Sequence, residues 1–209
     1  SYASQVPFRG DNMFLLSCRG SQAVQIAVQK LQVGQYTSTL VWEVRNSLWE
    51  TIASGAIEDD KPGAAQFTPK TDGYYILGLS AGRCAYRLKG TNVPVGILTE
   101  GSIGTIGGVD RLYLAAPSAD IPFELSIRGG GGTETVRVNV YGPEGDLVGS
   151  AQTTPSETRA KATLETWSPG AIYAIELTKA DEGVLEDARL SLGKGMAPIL
   201  SLHPEQVFR

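Results

Sequence analysis

Five blocks of this chain recur in the same order at a nearly constant spacing, and that recurrence limits the fold more than any other feature. Phe14-Leu15-Leu16 finds a counterpart in Tyr113-Leu114-Ala115 at a shift of 99, and the same shift carries Val24, Ile26 and Val28 onto Phe123, Leu125 and Ile127. A shift of 96 carries Leu40, Trp42 and Val44 onto Val136, Val138 and Val140. Tyr75, Leu77 and Leu79 meet Tyr173, Ile175 and Leu177 at 98, and Arg87-Leu88 meets Arg189-Leu190 at 102. Loop insertions produce drifts of this size. The chain therefore reads as two copies of one unit, residues 1–98 and 99–209, with a C-terminal tail from about 193. The boundary falls near Leu98–Gly108, where Thr99-Glu100-Gly101-Ser102 and Gly104, Gly107 and Gly108 read as a linker.

Within the blocks apolar residues alternate with period two, the mark of half-buried strands. Val136-Arg137-Val138-Asn139-Val140 is the clearest case. Turn signals separate the strands, among them Pro62-Gly63, Asp72-Gly73, Gly129–Gly132, Gly142-Pro143-Glu144-Gly145 and Pro169-Gly170. The 25 glycines and 11 prolines fit many short elements better than long helices, and the best helical candidate, Glu182–Arg189, is short. The predicted class is all-β: two tandem antiparallel β-sandwich domains, jelly-roll-like.

Charge and composition remove several functions. Net charge is −4 and no lysine/arginine cluster occurs along the sequence, which argues against nucleic acid as a partner. No apolar stretch approaches the roughly 20 residues that span a bilayer. With one histidine and two cysteines the chain lacks the ligands for a zinc site, and a nucleophile–histidine–acid mechanism would have to use His203, in the tail. Two carboxylates could hydrolyse a glycoside. Candidates are Glu43, Glu50 and Glu58-Asp59-Asp60 in the first half and Glu165, Glu176, Glu186 and Asp187 in the second; the expectation is that these, like Asp181-Glu182, are solvated charges. Gly193-Lys194-Gly195 lacks the Ser/Thr of a phosphate loop.

The repeat sorts the tryptophans. Trp42 aligns with Val138 and is expected in the core, Trp49 aligns with the turn glycine Gly145, and Trp167 aligns with Lys70 in a loop. Trp49 and Trp167 are thus expected to be exposed, and exposed indoles mark recognition surfaces. Sugar rings stack on flat apolar faces, with Arg45, Asn46 and Glu50 as polar neighbours of Trp49, and Glu165 and Thr166 beside Trp167. Tyr36 is a third candidate. The alternative is that these rings pack against another domain or a partner. Cys18 and Cys84 end the first core strand and begin the last strand of the first half, strands that commonly neighbour in sandwiches, and they form a disulfide candidate. The alternative is two buried thiols.

The second half resembles the bacterial pre-peptidase C-terminal domain. The residues that carry this are Val109-Asp110-Arg111-Leu112-Tyr113-Leu114, Val138–Gly145, Pro169-Gly170-Ala171-Ile172-Tyr173-Ala174-Ile175 and Ala188–Leu192. The first half matches through Asp11–Leu15, Asp72-Gly73-Tyr74-Tyr75 and Tyr86-Arg87-Leu88. The resemblance implies a small sandwich appended to a secreted bacterial hydrolase, with collagen- and carbohydrate-binding modules as relatives. Some family members bind calcium through acids before the first strand, where this chain offers only Glu100 and Asp110. What it implies here is a non-catalytic accessory region, extracellular, with a parent catalytic domain and a polysaccharide or oligosaccharide ligand held by exposed aromatics. The alternative is a protein-binding or spacer pair.

Overall fold

The alternation along the chain becomes strands with one face buried and the other open. A computed structural model of the chain describes residues 4–58 and 61–208, so Asp59 and Asp60 lie outside the described residues. The chain divides into two compact units, Ser1–Leu98 and Thr99–Arg209. Each is built almost wholly of antiparallel strands. No helix among the described residues is long and apolar enough to cross a membrane.

The first unit runs β1 (Phe8–Cys18), β2 (Val24–Leu31), β3 (Leu40–Arg45), β4 (Thr51–Ile57), β5 (Gly63–Phe67), β6 (Gly73–Thr91) and β7 (Val95–Leu98). One set of ladders follows the order β4-β3-β6-β1-β7, and a second joins β5, β2 and the far half of β6. Strand β6 thus serves both sets. It turns between them beside Gly82, at φ 55°, while β1 breaks register beside Gly10, at φ 66°. Left-handed glycines at facing positions let two paired strands bend together, a usual way for a strand to change sheets. Phe8, Phe14 and Tyr86 are fully buried at this bend.

The second unit runs β8 (Ile103–Ile106), β9 (Val109–Ala115), β10 (Phe123–Gly129), β11 (Arg137–Tyr141), β12 (Leu147–Gln152), β13 (Arg159–Leu164), β14 (Ile172–Thr178), β15 (Asp187–Leu192) and β16 (Ile199–Ser201), then a single turn of 3-10 helix at Pro204–Gln206. Its ladders follow β12-β11-β14-β9-β16 and β8-β15-β10-β13. The segment after 193 is not a loose tail, since β16 pairs with β9 through Ser201 and Tyr113. Glu182–Arg189 is not helical. Gly183 takes φ 80°, and β15 begins at Asp187, where Ala188 and Leu190 alternate inward.

The hairpins β3–β4 and β11–β12 close by the same bonds. Asn46 N–H donates to the Glu50 carbonyl and Trp49 N–H to that of Asn46, while Gly142 donates to Asp146 and Gly145 to Gly142. Each hairpin slips register by one residue beside its turn. The fourth residue past the strand is left-handed in both, Trp49 at φ 65° and Gly145 at φ 85°. An L-residue there crowds its Cβ against the following carbonyl, at about 1–2 kcal/mol. Nothing lies within 4 Å of where a Cβ on Gly145 would sit. Gly145→Ala is therefore expected to cost about 1 kcal/mol from backbone conformation alone, read as a lower urea midpoint with unchanged slope.

Cys18 and Cys84 are both buried free thiols. The register explains why the candidate disulfide does not form and the alternative of two buried thiols holds. Cys18 pairs with Gly73 and Arg9 with Ala85, so the cysteines sit at opposite ends of β1. The strand rise puts them on the order of 25–30 Å apart, against a limit of about 7 Å between the Cα atoms of a bridged pair. Burial pushes the Cys18 thiol up to about 11, and the Cys84 thiol donates to the Tyr36 carbonyl at 3.3 Å.

Candidate functional site

The turn between β3 and β4 is organised by one side chain. Asn46 Oδ1 accepts from the N–H groups of Leu48 and Glu50, both at 3.0 Å, and its Nδ2 donates to Glu50 Oε2 at 2.7 Å. Asn46 and Glu50, expected as partners for ligand hydroxyls, instead bond to each other and hold the loop. The turn raises Trp49, whose side chain is 54% exposed. The Arg45 guanidinium lies 5.1 Å from the Trp49 ring centroid. Glu43 in turn clamps Arg45 through Nε at 3.1 Å and Nη2 at 3.0 Å, and also accepts from the Thr51 hydroxyl. The bond from Arg45, then that from Thr51, holds the Glu43 carboxyl below its ordinary value. A carboxylate thus fixes a guanidinium, which in turn underlies the indole.

Beside this turn opens a cleft of about 570 Å³. Leu48, Ile52 and Tyr74 give it apolar surface, and Ser47, Lys70 and Asp72 give it polar groups. Leu48 is 76% exposed and Tyr74 59%. Asp72 Oδ1 accepts from Gly20 N–H at 2.7 Å, which ties the far wall to the β1–β2 loop. Trp49 does not line the cleft; it stands on the turn that forms one wall. Reasoning from sequence missed Leu48, Ile52 and Tyr74. Tyr74 could have been found from the alternation, because it directly precedes buried Tyr75 and so points outward.

The remaining candidates lie elsewhere. Tyr36 is 42% exposed with Arg83 5.2 Å from its ring centroid, and it adjoins Cys84, past the bend of β6 and well away from Tyr74 near the strand's start. Trp167 departs from expectation: it is half-buried, its Nε1 donates to the Pro117 carbonyl at 3.0 Å, and its ring meets Phe123 edge-on at 6.2 Å. Its indole is committed to packing, although its neighbours Glu165 and Thr166 are exposed. Trp42 is half-buried rather than in the core, lying over Gly55. Glu100 and Asp110 are exposed, and no group of three or more potential metal ligands occurs among the described residues.

Glu176 belongs to a second polar cluster, on the open face of β11 and β14. It accepts from Asn139 Nδ2 and the Tyr141 hydroxyl, both at 2.8 Å, and pairs with Arg111 at 3.7 Å, while Arg111 lies over Tyr141 at 3.9 Å. Partial burial pushes the carboxyl up, but the two hydrogen bonds and the arginine together outweigh it, and the net shift is downward. A depressed folded value supplies stability above the ordinary carboxylate range that is lost as pH falls through it. Glu176→Gln is expected to melt below the parent near neutral pH. The difference should close between about pH 5 and about pH 2, as followed by thermal melts across that range.

No protein-family model matches the chain, and no curated protein does. Among solved structures it is similar to the M60 catalytic domain with the CBM51-1 and CBM51-2 domains from Clostridium perfringens ZmpB, at 7% identity and a TM-score of 0.31 over 93% of this chain. It spans 34% of that structure's length. It is also similar to the N-terminal CBM22-1-CBM22-2 tandem domain from Paenibacillus barcinonensis Xyn10C, at 11% identity and a TM-score of 0.25, covering 87% of this chain and 78% of that one.

Proposed function

We propose that this chain is a non-catalytic accessory region of a longer hydrolase acting outside the cell, built of two jelly-roll-like sandwiches duplicated from one ancestor, and that the turn end of the first unit holds a carbohydrate. The observation that carries the reading is Trp49. The second unit closes the same turn with glycine, at no steric cost, whereas the first keeps a large, exposed indole in the left-handed region. Strain of this kind points to a use for the side chain that makes it. A flat apolar face braced by Arg45 and Glu43 suits the C–H face of a sugar ring. The adjoining cleft, with the Tyr74 ring and the polar groups of Ser47, Lys70 and Asp72, can extend the contact to neighbouring residues of a chain.

A protein partner is the second reading. The strongly exposed Leu48 and the exposed Ile52 favour it, because aliphatic side chains offer a sugar no flat ring. Retention on neutral insoluble polysaccharides, alongside glycan and peptide arrays, separates the two. The carbohydrate reading expects retention by a neutral glycan that is lost in both Trp49→Gly and Tyr74→Ala. Peptide binding with no glycan retained would establish the second reading instead.

A further inference from the structure

The second unit carries a cationic cleft. It is about 560 Å³ in volume and is lined by Arg128, Arg159, Lys161 and Arg189 together with Ser102, Ser126 and Ser191. The linear sequence shows no basic cluster; strand register assembles one. On β10, Arg128 stands directly opposite Arg159 of β13 on one side and Arg189 of β15 on the other. The next position outward along β10 places Ser126 between Lys161 and Ser191. All three arginines are exposed; Arg128 and Arg189 each stand between buried neighbours and Arg159 faces Arg128 across the ladder, so they share the open face.

Three like charges in one cross-strand row oppose folding. The surroundings do little to offset this. No Asp or Glu lines the cleft. Lys161 pairs with Glu124 at 2.9 Å, Asp187 lies two residues from Arg189 along β15, and the hydrogen bond of Arg189 is to the Ser102 hydroxyl at 3.4 Å. Arg128, Arg159 and Arg189 form no ion pair among the described residues. Residues 99–209 hold nine Lys/Arg against fifteen Asp/Glu, so meeting four of those cations in one cleft concentrates positive charge on an otherwise acidic unit.

We infer that this cleft is a binding site for an anionic polysaccharide, a chain whose sugars carry carboxylate or sulfate groups. The outer strands of the row stand two strand spacings apart, about 9–10 Å, and three guanidinium groups along that span offer donors for more than one carboxylate or sulfate. The row therefore matches anions repeated along a chain. Guanidinium groups bind such oxyanions through paired N–H donors, and the three serines offer hydroxyl partners to the sugar between charges. Single-stranded nucleic acid is disfavoured because no aromatic side chain lines the cleft to stack a base. The site is independent of Trp49 and of the neutral-glycan reading above.

The test uses the full 209-residue chain and four probes: polygalacturonate, dextran sulfate, a thymidine oligonucleotide, and phosphatidylserine–phosphatidylcholine vesicles. The compared proteins are the parent, the triple variant Arg128→Thr/Arg159→Thr/Arg189→Thr, a charge-matched control Arg19→Thr/Lys179→Thr/Lys194→Thr, and Trp49→Gly. Threonine keeps strand propensity. The expected result is parent binding to one or both acidic polysaccharides that weakens from about 50 mM to about 500 mM salt. The triple variant should be at least about tenfold weaker, with the control and Trp49→Gly unchanged. The two polysaccharides distinguish carboxylate from sulfate. If the triple variant does not fold, Arg128→Thr alone removes the centre of the row and carries the same comparison. Equal binding by parent and variant, no binding to either polysaccharide, or tighter binding to the oligonucleotide or the vesicles overturns the assignment.

Discussion

Trp49→Gly is expected to lose glycan binding while leaving stability within about 1 kcal/mol of the parent. Three terms set the stability. Relief of the left-handed conformation returns about 1–2 kcal/mol. The added freedom of glycine in the unfolded chain takes back about 0.5–1 kcal/mol. Loss of the exposed contact with Arg45 takes a further 0.5–1 kcal/mol or so. These nearly cancel. Binding has no such compensation: a tryptophan at the centre of a recognition surface is commonly worth about 2 kcal/mol or more, roughly a thirtyfold loss of affinity. Trp49→Ala provides the comparison, since it loses the ring but keeps the strained φ. It should bind as poorly as Trp49→Gly and be less stable by about 1 kcal/mol. Titration calorimetry against the retained glycan, with urea denaturation of the same samples, measures both quantities. Full affinity in the glycine variant would remove Trp49 from the site.

Phe14→Ala removes a ring of similar kind from the opposite setting, and the expected loss is about 3–5 kcal/mol of stability. Phe14 is fully buried between Phe8, edge-on at 5.0 Å, and Tyr86 at 6.4 Å, while Phe8 and Tyr86 stack at 5.6 Å. This trio fills the bend where β1 and β6 turn together, and a cavity there cannot be closed without moving both strands. Its one polar atom, the Tyr86 hydroxyl, receives the Asn12 Nδ2–H at 3.0 Å, and burial pushes its ionisation far above the ordinary range. Asn12→Ala strands that hydroxyl and should cost about 1–3 kcal/mol. Thermal and urea denaturation monitored by circular dichroism check both. A loss under about 1 kcal/mol in Phe14→Ala would mean that the bend can collapse onto the gap.

The strands were legible because their faces differ: Val24, Ile26 and Val28 point inward while Gln25 and Ala27 do not, and no other periodicity competes. The turn at Trp49 was legible by comparison with Gly145, since a residue replacing a turn glycine can only project outward. What escaped needed register. Cys18 and Cys84 lie on adjacent strands, but only the pairing of Cys18 with Gly73 shows them to be at opposite ends. Arg128, Arg159 and Arg189 are about thirty residues apart in sequence and become neighbours only through the β10 ladders. Trp167 misled because its alignment with Lys70 could not reveal the Pro117 carbonyl that draws the indole inward. Asn46 and Glu50 have the chemistry of ligand-binding groups, and only the geometry showed that chemistry spent on the turn.

The two units also differ in how their ladders are joined. In the first, the nineteen-residue β6 pairs with β1, β2 and β3 as one continuous strand that bends beside Gly82. In the second, β14 and β15 are separate strands joined by a loop. A strand shared by both sets makes opening of one drag on the other, so the first unit is expected to open as one block. In the second unit β15, with Arg189, and β14, with Glu176, belong to separate ladder sets joined by a loop, so the two sets are expected to open separately. The unit with the left-handed tryptophan is thus also the one with a single strand through both ladder sets, and the unit with the arginine row carries Arg189 on a strand separate from β14.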